Sequence, residues 1–232
     1  MRKKSKEREQ FLISQQNMKS VVAEAYRTLR TNLGFTELGR PCKAILITSP
    51  RIMEGKSTTS ANLAIVMAQT EQKVLLVDCD LRKPAQHKIF NVSNYIGLAN
   101  CLCQRFPLNE AIKPGPVQNL DILTAGPIPP NPTEILSSEH TRTFWADLKE
   151  HYDYILVDSP PVLSVADASI LSSQMDGVLM VVNSGTTRIE HAKEAKEQLT
   201  KANAHLIGVV LNQFKTTRDK HQYYYYSSEP SS

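Results

Sequence analysis

The segment Pro50-Arg51-Ile52-Met53-Glu54-Gly55-Lys56-Ser57-Thr58 lies between an apolar run, Ala44-Ile45-Leu46-Ile47, and a helix-like run from Ser60 to Thr70. A strand, a loop ending Gly-Lys-Ser-Thr and a helix together make a phosphate-binding loop. Main-chain N–H groups cradle the phosphates, the lysine reaches the outer ones, and the serine hydroxyl ligates Mg²⁺. Pro50 stands where that pattern usually has its first glycine, so the loop is read together with its context. Two further apolar runs end in carboxylate, Val74-Leu75-Leu76-Val77-Asp78-Cys79-Asp80 and Tyr154-Ile155-Leu156-Val157-Asp158. Strand ends carrying Lys/Ser, Asp/Asp and Asp describe a Mg·nucleotide site.

Apolar strands are expected at about 43–48, 73–78, 120–124, 153–158, 177–183 and 206–211, with helical or irregular segments between them. Such alternation requires mostly parallel strands joined by right-handed crossovers, and so an open α/β sheet with helices on both faces. Ligands of such sheets bind at the carboxyl ends of the strands, which gathers Gly55–Ser57, Asp78, Asp80 and Asp158 on one edge. Ser20 is expected to cap a helix whose Val22, Tyr26, Leu29 and Leu33 form one apolar side. Glu24, Arg27 and Arg30 share a neighbouring face of that helix, either as a solvated ion-pair face or as an interface with another subunit. Gly126-Pro127-Ile128-Pro129-Pro130-Asn131-Pro132 reads as a stiff extended loop.

With 232 residues, 41% of them hydrophobic, the chain suits one sizeable domain. It has neither an apolar run of membrane-spanning length nor a signal-peptide pattern, so a cytosolic protein is expected. Cys42, Cys79, Cys101 and Cys103 form no CxxC framework, which fits a reducing compartment, and no matching Cys/His pair makes Cys101-Leu-Cys103 a metal site. Most of the net charge of +4 sits in Met1–Gln10, where five Lys/Arg face two Glu. The remainder lacks the basic face that nucleic acid requires. The expected organisation is a flexible basic N-terminus over 1–18, a nucleotide-binding domain over 19–212, and a flexible tail over 213–232.

Gly55 allows close main-chain approach to a phosphate, Lys56 meets the outer phosphates, and Ser57 is a Mg²⁺ ligand. Thr58 contacts the inner phosphate from the helix N-terminus, and Asp158 ends a strand where a metal carboxylate belongs. Asp78 and Asp80, two apart on a strand, are expected to point the same way. Either one holds the metal's water shell while the other accepts a proton from an attacking hydroxyl, or both serve the metal. The tail offers such a hydroxyl: Tyr223, Tyr224, Tyr225 and Tyr226 are consecutive in a polar segment. The eleven residues from Asn212 to Tyr223 span roughly 36 Å when extended, enough for the chain's own site or a neighbour's.

Taken together, Glu24-x-x-Arg27-x-x-Arg30, Gly55-Lys56-Ser57-Thr58, Val77-Asp78-Cys79-Asp80-Leu81-Arg82-Lys83-Pro84, the Gly126–Pro132 segment, Asp158-Ser159-Pro160-Pro161 and the terminal tyrosines resemble the bacterial tyrosine kinases (BY-kinases). The likeness is to the Gram-positive form, in which the kinase is a separate chain. The resemblance runs from about Ser20 onward and implies a P-loop NTPase fold, ATP and Mg²⁺, and autophosphorylation of Tyr223–Tyr226. It implies that Asp78 is a base toward tyrosine, that Asp80 binds Mg²⁺ with Ser57 and Asp158, and that Met53, Glu54, Gly55, Lys56, Ser57, Thr58 and Asn212 contact the nucleotide. It also implies ring-like self-association through Glu24, Arg27 and Arg30, and activation by the cytosolic tail of a membrane adaptor that recruits the kinase to the inner face of the membrane. A tyrosine phosphatase and other proteins would be partners, and the role would be control of capsular or extracellular polysaccharide synthesis and export. Relatives usually carry Pro-Gly at Ile52-Met53, so Met53 is expected to weaken ATP affinity; Ser159 replaces a common threonine. The alternative is a switch ATPase similar to the MinD/ParA group. A third reading is a binding scaffold that has lost activity.

Overall fold

The computed structural model describes residues 12–36 and 42–214. The strands are β1 (Ala44–Thr48), β2 (Val74–Asp78), β3 (Ile112–Pro114), β4 (Leu120–Leu123), β5 (Tyr154–Asp158), β6 (Gly177–Asn183) and β7 (Leu206–Asn212). They form one sheet in the order β3-β4-β2-β5-β1-β6-β7. All neighbours pair in parallel except β3, which runs antiparallel to β4. The helices are α1 (Ile13–Gln16), α2 (Val21–Thr36), α3 (Lys56–Ala68), α4 (Gln86–Phe90), α5 (Leu98–Leu102), α6 (Leu108–Ala111), α7 (Pro132–Ser137), α8 (Glu139–His151), α9 (Asp167–Ser172) and α10 (Ile189–Lys201).

The central strands are apolar throughout because both their faces are covered. Every residue of β1 and β2 is buried, and the side chains alternate between two cores. Ala44, Leu46, Leu75 and Val77 join Trp145 of α8 and Leu171 of α9 on one face. Ile45, Ile47, Val74 and Leu76 join α3 on the other. Helix α3 is buried on nearly every side from Thr59 to Ala68, since α1 and α2 cover the face it turns away from the sheet.

Ser20 caps α2 as expected, its Oγ accepting from Ala23 N at 3.1 Å. The apolar stripe departs from the expected one at a single position. Ala23 is fully buried while Val22 is 48% exposed, with Tyr26 and Leu29 partly and Leu33 fully covered. Ala23 is the buried residue of the first turn, and Val22 faces outward. β3 is the strand that the apolar pattern does not reveal: it is three residues at the sheet edge and contains a lysine and a proline. Gly126–Asn131 is irregular rather than uniformly extended, starting from a left-handed Gly126 at φ 79° and bending at Pro127 and Pro130, and Pro132 then opens α7, where its missing N–H costs nothing.

Candidate active site

β5 lies between β1 and β2, and its register sets Asp158 beside both Ile47 and Asp78. The ends of these three strands supply the site. After β1 the chain turns through two left-handed residues, Met53 at φ 66° and Gly55 at φ 89°. Glycine takes such a φ freely, whereas methionine is strained there. A Cβ on Gly55 would also come within 2.0 Å of Asn212 Nδ2. Asn212 ends β7, and its amide donates to Glu54 O at 2.9 Å, which places this residue on the main chain of the loop.

Glu54 is buried. The Thr187 hydroxyl donates to its Oε1 at 2.7 Å and accepts from Asn183 N at 2.8 Å, joining the loop to the end of β6. Burial raises the pKa of Glu54, and the Thr187 hydrogen bond opposes that shift.

Lys56 opens α3 and reaches three of the other expected site residues. Its Nζ lies 3.2 Å from Asp80 Oδ2, 3.5 Å from Asp158 Oδ1 and 3.2 Å from Ser57 Oγ, with 12% of the side chain exposed. Burial alone would lower its pKa, but the charges of Asp158 and Asp80 outweigh burial and raise it. A cavity of about 450 Å³ opens beside Lys56, lined by Ile52, Met53, Ser57, Asp80, Pro161 and Val165 among others.

Asp78 and Asp80 do not act as a parallel pair. β2 stops at Asp78 and the chain turns, with Asp80 N donating to Asp78 Oδ1 at 3.2 Å. Asp78 Oδ2 accepts from Ala85 N and Gln86 N, both at 2.9 Å, which fastens it to the start of α4. Asp80 instead accepts from Lys83 N at 2.9 Å and turns its other oxygen to Lys56. Asp78 is wholly buried; burial and the nearby charge of Asp158 push its pKa far above the usual carboxylate range.

The donor set fits a divalent cation with a nucleotide. Asp80 and Asp158 each accept from a protein N–H with one oxygen and turn the other toward Lys56, whose Nζ also lies beside Ser57 Oγ. Among the described residues no three His, Cys, Asp or Glu side chains form a ready-made cage. Mg²⁺ does not need one, because waters and substrate phosphates complete its shell beside one or two carboxylates.

The remaining expected residues are placed as follows. Arg27 pairs with Glu24 at 2.7 Å and also donates to Met18 O at 2.6 Å. Arg30 turns inward onto α3, donating to Val66 O at 2.7 Å. Thr58 lines the cavity. Tyr223–Tyr226 and Met1–Gln10 lie outside the described residues. Three features went unread in the sequence. Gln86 donates to Asp158, Thr187 holds Glu54, and Asp167 anchors Arg82. Gln86 stands two residues beyond the Asp-Leu-Arg-Lys-Pro segment, so a longer reading of that motif could have included it. The other two contacts join distant parts of the chain and carry no local signal.

A family model described as AAA domain matches residues 43–213. The tyrosine-protein kinase YwqD of Bacillus subtilis is 42% identical over 214 residues, covering 92% of this chain and 90% of that one. The putative tyrosine-protein kinase CapB of Staphylococcus aureus is 38% identical over 211 residues, covering 91% and 92%. The crystal structure of the chimerical protein CapA2B2 superposes with a TM-score of 0.86 at 38% identity, covering 89% and 91%. The septum site-determining protein MinD of Pyrococcus horikoshii, complexed with Mg-ADP, follows at a TM-score of 0.64 and 26% identity, covering 74% and 70%. The likeness to the kinases is thus the stronger in both sequence and fold, and the chain belongs to the bacterial tyrosine kinase family.

Proposed function

We propose that the protein is an ATP- and Mg²⁺-dependent protein-tyrosine kinase that phosphorylates its own C-terminal cluster, Tyr223–Tyr226, and thereby controls capsular or extracellular polysaccharide production. The observation that carries this reading is Lys56, held between Asp80 and Asp158 at the mouth of a phosphate-binding loop. Bound there, Mg·ATP supplies the phosphoryl group and the metal charge that offsets the acidic site. Ser57, Asp80 and Asp158 would hold the metal, and the main chain from Met53 to Thr58 would receive the phosphates. Lys56 exchanges its carboxylate partners for phosphate oxygens, keeping its charge where negative charge moves during transfer.

Asp78 is the proton acceptor in this reading. A tyrosine hydroxyl loses its proton near pH 10 and so needs an acceptor at the strand ends, where Asp78 lies beside Asp158 and the Lys56 charge favours its ionised form. The phenolic oxygen takes the phosphoryl group, its proton goes to Asp78, and ADP leaves. Asp78→Asn should therefore abolish tail phosphorylation while leaving nucleotide binding in place.

The acceptor tail comes from a neighbouring subunit in a ring formed through α2, with Glu24 and Arg27 on its outer side and Arg30 packed inward behind them. The cytosolic segment of a membrane adaptor activates the kinase and brings it to the inner face of the membrane; no helix among the described residues is itself long and apolar enough to cross one. A tyrosine phosphatase reverses the modification.

Mixing two chains tests the exchange of tails. One carries Lys56→Met with its tyrosines intact; the other is active but has Phe at 223–226. Phosphate on the Lys56→Met chain is the expected result. A bare tail in the mixture, with phosphate on wild type alone, would mean that each chain serves itself.

A further inference from the structure

Gln86 is completely buried at the start of α4, and three groups assigned above to the chemistry meet on it. Its main-chain N–H donates to Asp78 Oδ2 at 2.9 Å. Its side-chain Nε2 donates to Asp158 Oδ2 at 2.8 Å and to Ser57 O at 3.1 Å. Both side-chain partners are acceptors, which fixes the amide with nitrogen toward them. The remaining oxygen, Oε1, is buried without a protein donor among the described residues.

We propose that Gln86 is a positioning residue for phosphoryl transfer, fixing Asp158 and the Ser57 main chain in the arrangement that receives Mg²⁺. The inference rests on the kinase reading above. Asp158 can turn about its side-chain torsions; tying Oδ2 to an amide leaves Oδ1 toward Lys56 and the cation. The choice of amide is chemical. A lysine or arginine would cancel the charge that the metal needs, and a glutamate would repel Asp158. A neutral N–H donor orients the carboxylate and leaves its charge available. The same side chain ties α4, and through it Asp78, to the phosphate-binding loop, so the metal site and the proton acceptor share one brace.

Gln86→Met tests this, since it keeps the length and bulk of the side chain and removes its hydrogen bonds. The main-chain bond to Asp78 is retained. Binding of a fluorescent ADP analogue is measured first in EDTA and then across a Mg²⁺ titration. The expected result is unchanged affinity in EDTA with a Mg²⁺ midpoint raised about tenfold, as loss of a partner behind a metal ligand typically gives. Tail phosphorylation should fall in kcat more than in KM for ATP, and should be partly restored at high Mg²⁺. If Gln86→Met does not fold, Gln86→Asn carries the same titration, because an amide one methylene shorter cannot span Ser57 and Asp158. A wild-type Mg²⁺ midpoint overturns the proposal, and so does an equal loss of affinity with and without the metal, which would mean a structural role alone. Wild-type protein that binds nucleotide but never phosphorylates its tail would instead overturn the kinase reading.

Discussion

Met53, a residue 87% exposed, turns the phosphate-binding loop through φ 66°. An L-residue in this region carries about 1–2 kcal/mol of strain, and an exposed side chain offers little packing to offset it. Glycine removes the strain but costs roughly 0.5–1 kcal/mol in chain entropy. Met53→Gly should therefore stabilise the protein by about 0.5–1 kcal/mol in urea denaturation and tighten ATP binding. Equal ATP dissociation constants would refute the second part, and unchanged stability the first. The sequence showed that this position departs from the family pattern. It did not show that the position is left-handed, because that follows from how β1, α3 and Asn212 close the loop between them.

At the level of elements, a strap holds the loop after β2. Arg82 donates from Nε to Asp167 Oδ2 at 2.8 Å and from Nη2 to Oδ1 at 3.0 Å. Its Nη2 also donates to Thr133 Oγ1 at 2.8 Å, and Thr133 donates in turn to Asp167 Oδ1 at 2.8 Å. The loop carrying Asp80 is thus tied to the first turns of α7 and α9, where helix dipoles favour the Asp167 carboxylate. Arg82→Met would leave Asp167 fully buried with Thr133 as its remaining side-chain donor. Breaking a buried pair costs about 3–5 kcal/mol; since the Arg82 side chain is 39% exposed, a loss of about 2–3 kcal/mol is expected. A change below about 1 kcal/mol by urea denaturation would contradict this.

The elements that could be read in advance are those whose residues carry a local signature. β1, β2 and β5 are continuous apolar runs because the sheet buries them on both faces, and Ser20 announces α2. Those that could not be read depend on partners far away. Asp167 is 85 residues from Arg82, and Thr187 is 133 from Glu54. The stripe of α2 takes Ala23 in place of Val22, a preference that periodicity alone does not contain.

At the scale of the whole molecule, the strand order makes the site. The sequence placed Lys56, Asp78, Asp80 and Asp158 on one sheet edge; the order β2-β5-β1 brings them into contact by setting the Asp158 strand between the other two. The same logic runs outward to the tail. β7 pairs in parallel with β6 through Asn183 and Asn212, so the chain leaves the sheet at the nucleotide edge, as expected. Asn212 there lies against the loop that Gly55 keeps open. From that point Tyr223 is within reach of its own site or a neighbour's. Incubation with Mg·ATP, with and without the adaptor's cytosolic segment, followed by mass spectrometry of the C-terminal peptide tests this most directly. The predicted result is phosphate on Tyr223–Tyr226 that disappears in Lys56→Met; ATP hydrolysis with a bare tail under both conditions would contradict it and point to a switch ATPase.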